Sequence, residues 1–454
     1  MTQHKPSTLP PAHDGQGSDL KRILGLPALV FFGLAYMVPL TVFTTYGVVT
    51  ETTNGHVPMA YIITLAAMFF TAWSYGRMVE HYPVAGSAYT YTRRAFGGRI
   101  GFMVGWALLL DYIFLPMINY LVIGIYMKEY FPAVDQGIWI LGATAAVTLL
   151  NVLGIKLVAR MNLIIIAFQF VFLAVFIAMA FSVMASGSAP SLLAPFHSES
   201  LQWASIVGGA AILCLSFLGF DAVSTLSEET RNPKRDIPRA IMLCTLVGGL
   251  LFILASWVGH MVFPDYSRFG SVDSAAVDVM RHTGGAFLVT FFTAAYVAGC
   301  FASAMASQAS VARILYAMGR DHVLPGVFGK VSKRYGTPLG STLIVGAISL
   351  LALVISLELA ATMISFGALV AFSFVNLSVI KHYLLDEHLL QPRNLVRYGV
   401  MPGIGFLLTI WLWTSLSGYT FQVGLSWVAA GFLYLLYLTR MFKQDVPDLE
   451  LKEV

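Results

Sequence analysis

Twelve long apolar stretches, separated by short links, dominate the sequence and leave few folds open to it. They fall at roughly 24–50, 57–78, 100–127, 137–154, 161–186, 203–227, 239–263, 284–312, 338–356, 358–380, 399–417 and 421–439. Each holds about 20 apolar-dominated residues, enough to cross about 30 Å of hydrocarbon as an α-helix. Lipid offers the backbone no hydrogen-bond partners, so a spanning segment must close its own bonds, as a helix does. Only 11% of the 454 residues are charged, against about 25% in soluble domains. The sequence predicts an all-α membrane protein of twelve transmembrane helices.

The basic residues supply the orientation. Of the 27 Lys and Arg, only Lys128, Arg268 and Arg281 fall on one side when the links are assigned alternately. The positive-inside tendency then places both termini in the cytoplasm. Residues 1–22 are polar and proline-rich, and the apolar run that follows is too long for a signal peptide, so no cleaved leader is expected. The tail 1–22 reads as disordered. Cys214, Cys244 and Cys300 all lie inside apolar stretches, with neither metal spacing nor a disulfide framework. No metal triad, nucleophile–base pair or phosphate loop is present, so enzymatic function, a cofactor and a nucleic-acid partner are not expected.

Within this apolar background, Ile212–Glu229 (ILCLSFLGFDAVSTLSEE) stands apart. Asp221 falls near mid-depth of its span, where an ionisable side chain is costly and marks a functional site. Ser216, Gly219, Ala222 and Ser224 around it let a helix open and expose carbonyls, which is tolerated only inside protein or beside a cavity. The first span has its own interruption, Pro39, flanked by Tyr36, Leu40 and Thr41. Proline removes a donor and clashes with the preceding turn. Broken segments in the first and sixth places mark two sets of five helices. Because five is odd, the second set is inverted, and the site lies at the repeat interface. The expected division is a first repeat at 23–186, an inverted second repeat at 200–384, two additional helices at 398–441 and a cytoplasmic tail at 442–454.

Other polar residues inside spans are candidates for coupling or gating. Asp111 is a second intramembrane carboxylate, read as structurally paired or as part of a proton or substrate path. Tyr112, Pro116 and Asn119 share a face of the third helix at i, i+4 and i+7. The fifth span carries Gln169. Ser303 and Ser307 lie on successive turns of the eighth and serve close packing or ligate sodium. Glu228 is a gate candidate, although most charges from Glu228 to Arg239 read as a salt-bridged inner loop. Tyr82, Tyr89 and Tyr91 read as interfacial aromatics.

PVAGSAYTYTRRAFG, SFLGFDAVSTLSEETRNPKRDIPRAI and ARILYAMGRDHVLP resemble the amino acid–polyamine–organocation superfamily of transporters. GLAYMVPLTVF, NGHVP, VGWALLLDYIFLPMIN and ISFGALVAFSFVNLSV are similar to its bacterial putrescine-importer branch. The resemblance covers 24–440. It implies the five-plus-five inverted-repeat fold with broken first and sixth helices plus two extra helices, and proton-motive-force-driven uptake. Two departures from the amino acid carriers bear on substrate. Their first-helix break is glycine-rich and receives a carboxylate, whereas Val38–Phe43 (VPLTVF) has no glycine and is a poor anion nest. Where many relatives carry a lysine in the fifth helix, Gln169 stands here. By the same matching, the acidic residue of polyamine and arginine carriers falls on Asp221, and the third-helix site face on Tyr112 and Asn119.

These features together predict a multi-pass protein of the bacterial inner membrane that imports a small aliphatic diamine, with an amino acid importer or exchanger as the alternative. Asp221 holds one ammonium. Tyr36, Tyr112 and Phe217 wall the methylene chain and add cation–π contact. Asn119 and carbonyls near Leu40–Thr41 and Ser216–Leu218, beside Pro39, take the other ammonium. The proton is the expected coupling ion and sodium the alternative. The lipid bilayer is the expected partner, and the chain a monomer or homodimer.

Overall fold

A computed structural model describes residues 20–446, less 189, 197–200, 271, 273–274, 415, 417 and 445. The helices in chain order are α1 Leu26–Met37, α2 Tyr46–Thr52, α3 Val57–His81, α4 Ser87–Phe96, α5 Gly98–Tyr130, α6 Gln136–Leu153, α7 Ile155–Val183 and α8 Trp203–Leu213. They continue with α9 Pro233–Val262, α10 Ala275–Arg320, α11 Leu339–Ser349, α12 Leu357–Ile380, α13 Pro392–Leu395, α14 Met401–Trp413 and α15 Gly418–Leu438. Among the described residues, eleven helical stretches are long and apolar enough to cross a membrane, and Leu339–Leu353 is a shorter apolar helix. That shorter stretch is the expected ninth span. Its end tightens into a 3-10 turn at Leu350–Leu353, which cuts its α-helix to eleven residues.

Both expected interruptions are present, and each has a local cause. α1 stops at Met37 because Val38 precedes a proline, which disfavours the α region. Val38 takes φ 52° and ψ 101°, and a 3-10 turn follows at Pro39–Phe43 before α2 resumes. α8 gives way to a 3-10 turn at Cys214–Phe217, then to extended Leu218 and to Gly219 at φ 125°. A 3-10 helix over Asp221–Glu229 completes the crossing. Glycine lacks the Cβ that makes such a φ costly. α10 bends where Gly284 and Gly285 leave helical geometry.

α3 packs along α9, and α5 lies between α12 and α10. α15 is fastened to α5 by a reciprocal pair of indoles. Trp106 Nε1 donates to the Trp427 carbonyl at 2.9 Å, Trp427 Nε1 donates back to that of Trp106 at 2.7 Å, and the rings stack at 4.9 Å.

The stretch between α3 and α5 differs from expectation. It folds as α4, and Tyr89 and Tyr91 are fully buried rather than interfacial. The serine, alanine and tyrosine side of α4 packs on α5 and α12, so these rings cover protein instead of headgroups. The expected disordered tail falls mainly on residues outside the described set. Of its described part, Leu20 is buried. Just beyond it, Ile23 and Leu24 donate to the Glu229 carbonyl at 2.8 and 2.9 Å, and Arg231 donates to the Leu24 carbonyl at 3.0 Å. The chain before α1 thus docks on the end of the broken sixth crossing.

Candidate functional site

The two interruptions meet. A Cβ built on Gly219 would lie 2.5 Å from Tyr36 Cδ1, so the bare backbone of the sixth crossing sits against the tyrosine of the last turn of α1. Tyr36 and Tyr112 pack edge to face at 6.3 Å. Tyr112, from α5, donates to Asp221 Oδ2 at 2.7 Å, and the Gly219 N–H donates to Asp221 Oδ1 at 3.3 Å. Asp221 and Asp111 are both buried. They are electrostatic neighbours, and Tyr36 and Tyr75 are within range of both. Among the described residues, no basic side chain pairs with either carboxylate. Asp111 Oδ1 is buried without a hydrogen bond. Its helix is closely approached by Gly367 of α12, where a Cβ would lie 2.6 Å from the Asp111 amide nitrogen. Two desolvated carboxylates with no protein cation suit a cationic guest or a proton, because a buried charge requires a partner.

The remaining residues form a polar belt around the break. Asn119 donates to the Leu115 carbonyl at 2.8 Å and to Ser303 Oγ at 3.0 Å, and Ser303 donates to the Tyr36 carbonyl at 2.8 Å. Asn119 and Ser303 therefore brace the end of α1 from α5 and α10. Ser307 donates to the Ser303 carbonyl at 2.7 Å, one turn further on. Gln169 lies beside Val38 and Gly299, and neither atom of its buried amide has a hydrogen-bond partner. Ser216 meets Tyr61 at 3.2 Å, and Phe217 packs edge to face on Phe252 at 5.4 Å. Pro39 has no N–H to offer. The Thr41 N–H donates to the Val38 carbonyl at 2.8 Å, that of Thr44 donates to the Thr41 carbonyl at 2.9 Å, and Thr41 Oγ1 donates to the Met37 carbonyl at 2.9 Å. Leu40 is buried in the same turn.

Glu228 lies apart, one 3-10 helix beyond Asp221. Its partners are not the neighbouring Arg231, Lys234, Arg235 or Arg239 that a local salt-bridged loop required. Arg320, at the end of α10, donates to Glu228 Oε1 at 2.9 Å and Oε2 at 3.1 Å, and the Ala85 N–H donates to Oε1 at 3.0 Å. Arg313 binds Glu229 through two nitrogens, with the Nη2–Oε1 contact at 2.9 Å and both side chains buried. Arg93 of α4 pairs with Asp321, and Tyr89 donates to Asp321 Oδ2 at 2.9 Å. Burial raises the Tyr89 phenol above its usual range and keeps it a neutral donor. Three segments distant in sequence thus form a latch across this end of the bundle. Sequence reasoning missed Arg313, Arg320, Asp321 and Arg93. Their signal was their place beside membrane segments and inside PVAGSAYTYTRRAFG and ARILYAMGRDHVLP, neither of which names a partner.

Gly219→Ala tests the contact between the breaks. Both the left-handed φ and the close Tyr36 ring oppose a methyl there, each costing about 1–3 kcal/mol. The expected result is a lower thermal unfolding temperature and little transport. A variant that melts and transports as wild type would contradict the geometry.

A membrane bundle with two broken crossings meeting around an unpaired carboxylate belongs to the class of secondary transporters. The chain matches the amino acid permease family over residues 28–439, and it belongs to that family, part of the amino acid–polyamine–organocation superfamily. It is a permease rather than an enzyme. It is 42% identical over 438 residues to the low-affinity putrescine importer PlaP of Escherichia coli strain K12, covering 95% of this chain and 97% of that protein. It is 28% identical to the branched-chain amino acid permease BcaP of Bacillus subtilis, covering 92% of this chain and 93% of that one. It is 25% identical to the methylthioribose transporter of the same organism, covering 93% and 94%.

Proposed function

We propose that this chain imports a small aliphatic diamine, putrescine foremost, across the bacterial inner membrane, driven by the proton motive force. The observation that carries the reading is the Asp221–Tyr112 pair at the break, with Asp111 nearby and, among the described residues, no basic side chain to neutralise either carboxylate. On this reading Asp221 holds one ammonium. Tyr36, Tyr112 and Phe217 line the methylenes, and carbonyls of the two breaks, with Asn119, receive the other end. Asp111 carries the coupled proton, and Gln169 stands where a cation would repel the substrate. The similarity to a putrescine importer supports the substrate class.

The architecture that goes with this reading is twelve crossings, with an inverted pair of five-helix repeats at 23–186 and 200–384, both termini cytoplasmic, and alternating access around the midplane. The Glu228–Arg320 latch then closes the cytoplasmic side. A cleft of about 640 Å³ between α8, α12 and α14 approaches Leu218 from the opposite end. Inward movement of each positive charge is worth about 2.3 kcal/mol per 100 mV. A dication gains about 4.6 kcal/mol, a concentration ratio above a thousandfold.

Amino acid transport is the second reading, favoured by the similarity to a branched-chain amino acid permease. The first break argues against it, since Pro39 has no N–H and that of Thr41 is already committed. Uptake of labelled putrescine into proteoliposomes, with an imposed potential and with protons and sodium varied separately, tests both readings. Ornithine is the sharp competitor, being putrescine plus a carboxylate. The expected result is putrescine uptake that needs no sodium and that ornithine inhibits at least tenfold more weakly than unlabelled putrescine. Equal competition by ornithine would favour the amino acid reading, and loss of uptake on removing sodium alone would overturn proton coupling.

A further inference from the structure

Three metal-ligating side chains meet at a place the transport reading does not use. His81 ends α3. His382 lies in the π-helical turn Lys381–Asp386 that extends α12, and Glu387 follows it. The two imidazoles are 4.2 Å apart between centroids. Both direct Nε2 at one carboxylate oxygen, with Glu387 Oε1 at 3.3 Å from His382 and 3.9 Å from His81. The three ligand atoms lie within 4.8 Å of one another.

His382 distinguishes this group from an incidental surface cluster. It is only 7% exposed, and its Nε2 is buried without a hydrogen bond. A buried polar atom left without a partner is destabilising. Its other ring nitrogen, Nδ1, is 3.3 Å from the Tyr82 hydroxyl. When Nδ1–H donates to Tyr82, the Nε2 lone pair points into the cluster, the arrangement by which an outer hydrogen bond orients a metal-binding histidine. Of the neighbouring cations, Lys381 is paired with Asp386 at 2.6 Å, Arg77 and Arg397 both face Glu80, at 2.5 and 3.7 Å, and Arg94 lies over the Tyr82 ring at 6.0 Å.

We infer that His81, His382 and Glu387 form a Zn²⁺ site that staples the end of α3 to the extension of α12. Two imidazoles and one carboxylate suit zinc, whereas magnesium and calcium prefer sets made entirely of oxygen. Zinc bonds of about 2.0–2.2 Å place tetrahedral ligand atoms about 3.4 Å apart. His382 and Glu387 already have that spacing. His81 Nε2, 3.9 Å from Glu387 Oε1, must close by about 0.5 Å to reach it, and its side chain is 39% exposed.

Zn²⁺ titration of the tag-free, full-length protein in lipid nanodiscs, against a chromophoric chelator, tests the site. The expected result is one Zn²⁺ per chain and a thermal unfolding temperature several degrees higher in excess Zn²⁺, with no such effect of Mg²⁺. His382→Ala and Glu387→Gln are each expected to weaken binding at least tenfold and to abolish the thermal shift. His81→Ala should weaken it likewise, and His81→Cys, which keeps a zinc ligand, should retain it. Glu387 is exposed, so Glu387→Gln carries the comparison if His382→Ala does not fold. Absence of stoichiometric binding, or unchanged affinity in these variants, would overturn the assignment. Neither readout involves transport, so failure here leaves the diamine reading untouched.

Discussion

Asp221→Asn is expected to weaken putrescine binding by about 100- to 4,000-fold in purified, folded protein. The substitution keeps the shape and the Tyr112 contact but removes the charge. One ammonium is then left unpaired in a buried site, and an uncompensated buried charge costs about 3–5 kcal/mol. At about 1.4 kcal/mol per tenfold, that gives the stated range. Asp221→Glu restores the charge one methylene away and should retain part of the affinity. Asp111→Asn should leave equilibrium binding within about tenfold, if its role is to carry the coupled proton, and should weaken the dependence of uptake on the pH gradient. Binding measured calorimetrically and normalised to folded protein decides the matter. Wild-type affinity in Asp221→Asn would remove the carboxylate from the substrate site.

The second large effect is expected at Glu229 and Arg313. Both are buried, Arg313 reaches Glu229 through two nitrogens, and its Nη1 also donates to the Ala309 carbonyl at 2.6 Å. Removing either partner leaves the other charge buried alone. Arg313→Met or Glu229→Leu should therefore cost about 3–5 kcal/mol of stability. The double variant should recover much of that loss, because a buried ion pair is often replaced by apolar groups at little cost. Thermal unfolding of the two single variants and the double variant closes the cycle. Additive losses would show that the pair is not coupled. The nearby Glu228–Arg320 pair is more open to solvent, since Arg320 is only partly buried, and its single variants should cost less.

The fold class alone does not name the substrate. Relatives named for putrescine, branched-chain amino acids and methylthioribose all align over most of this chain. Substrate choice therefore resides in particular groups on a shared frame. On the proposed diamine reading, two of those groups are legible locally: Asp221, an acid in an apolar run, and Pro39, in a first break without glycine.

From the sequence alone, what could be read was whatever has a local cause. Apolar run length implies a spanning helix because lipid leaves the backbone no other partner. Pro39 implies a break because it lacks a donor, and Gly219 implies one because only glycine adopts its φ freely. What the tertiary structure alone decided was the partner of each polar side chain. Glu228 and Glu229 turn from the adjacent Arg231 and Lys234 to Arg320 and Arg313, residues 92 and 84 positions away respectively. Tyr89 and Tyr91 are drawn into the core because α4 packs on α5 and α12. His81 meets His382 because the ends of α3 and α12 converge. Such pairings depend on how helices cross and where their ends stop. Charge and hydropathy carry no record of that, because an arginine beside a membrane span reads the same whether it faces water, headgroups or a glutamate from another helix.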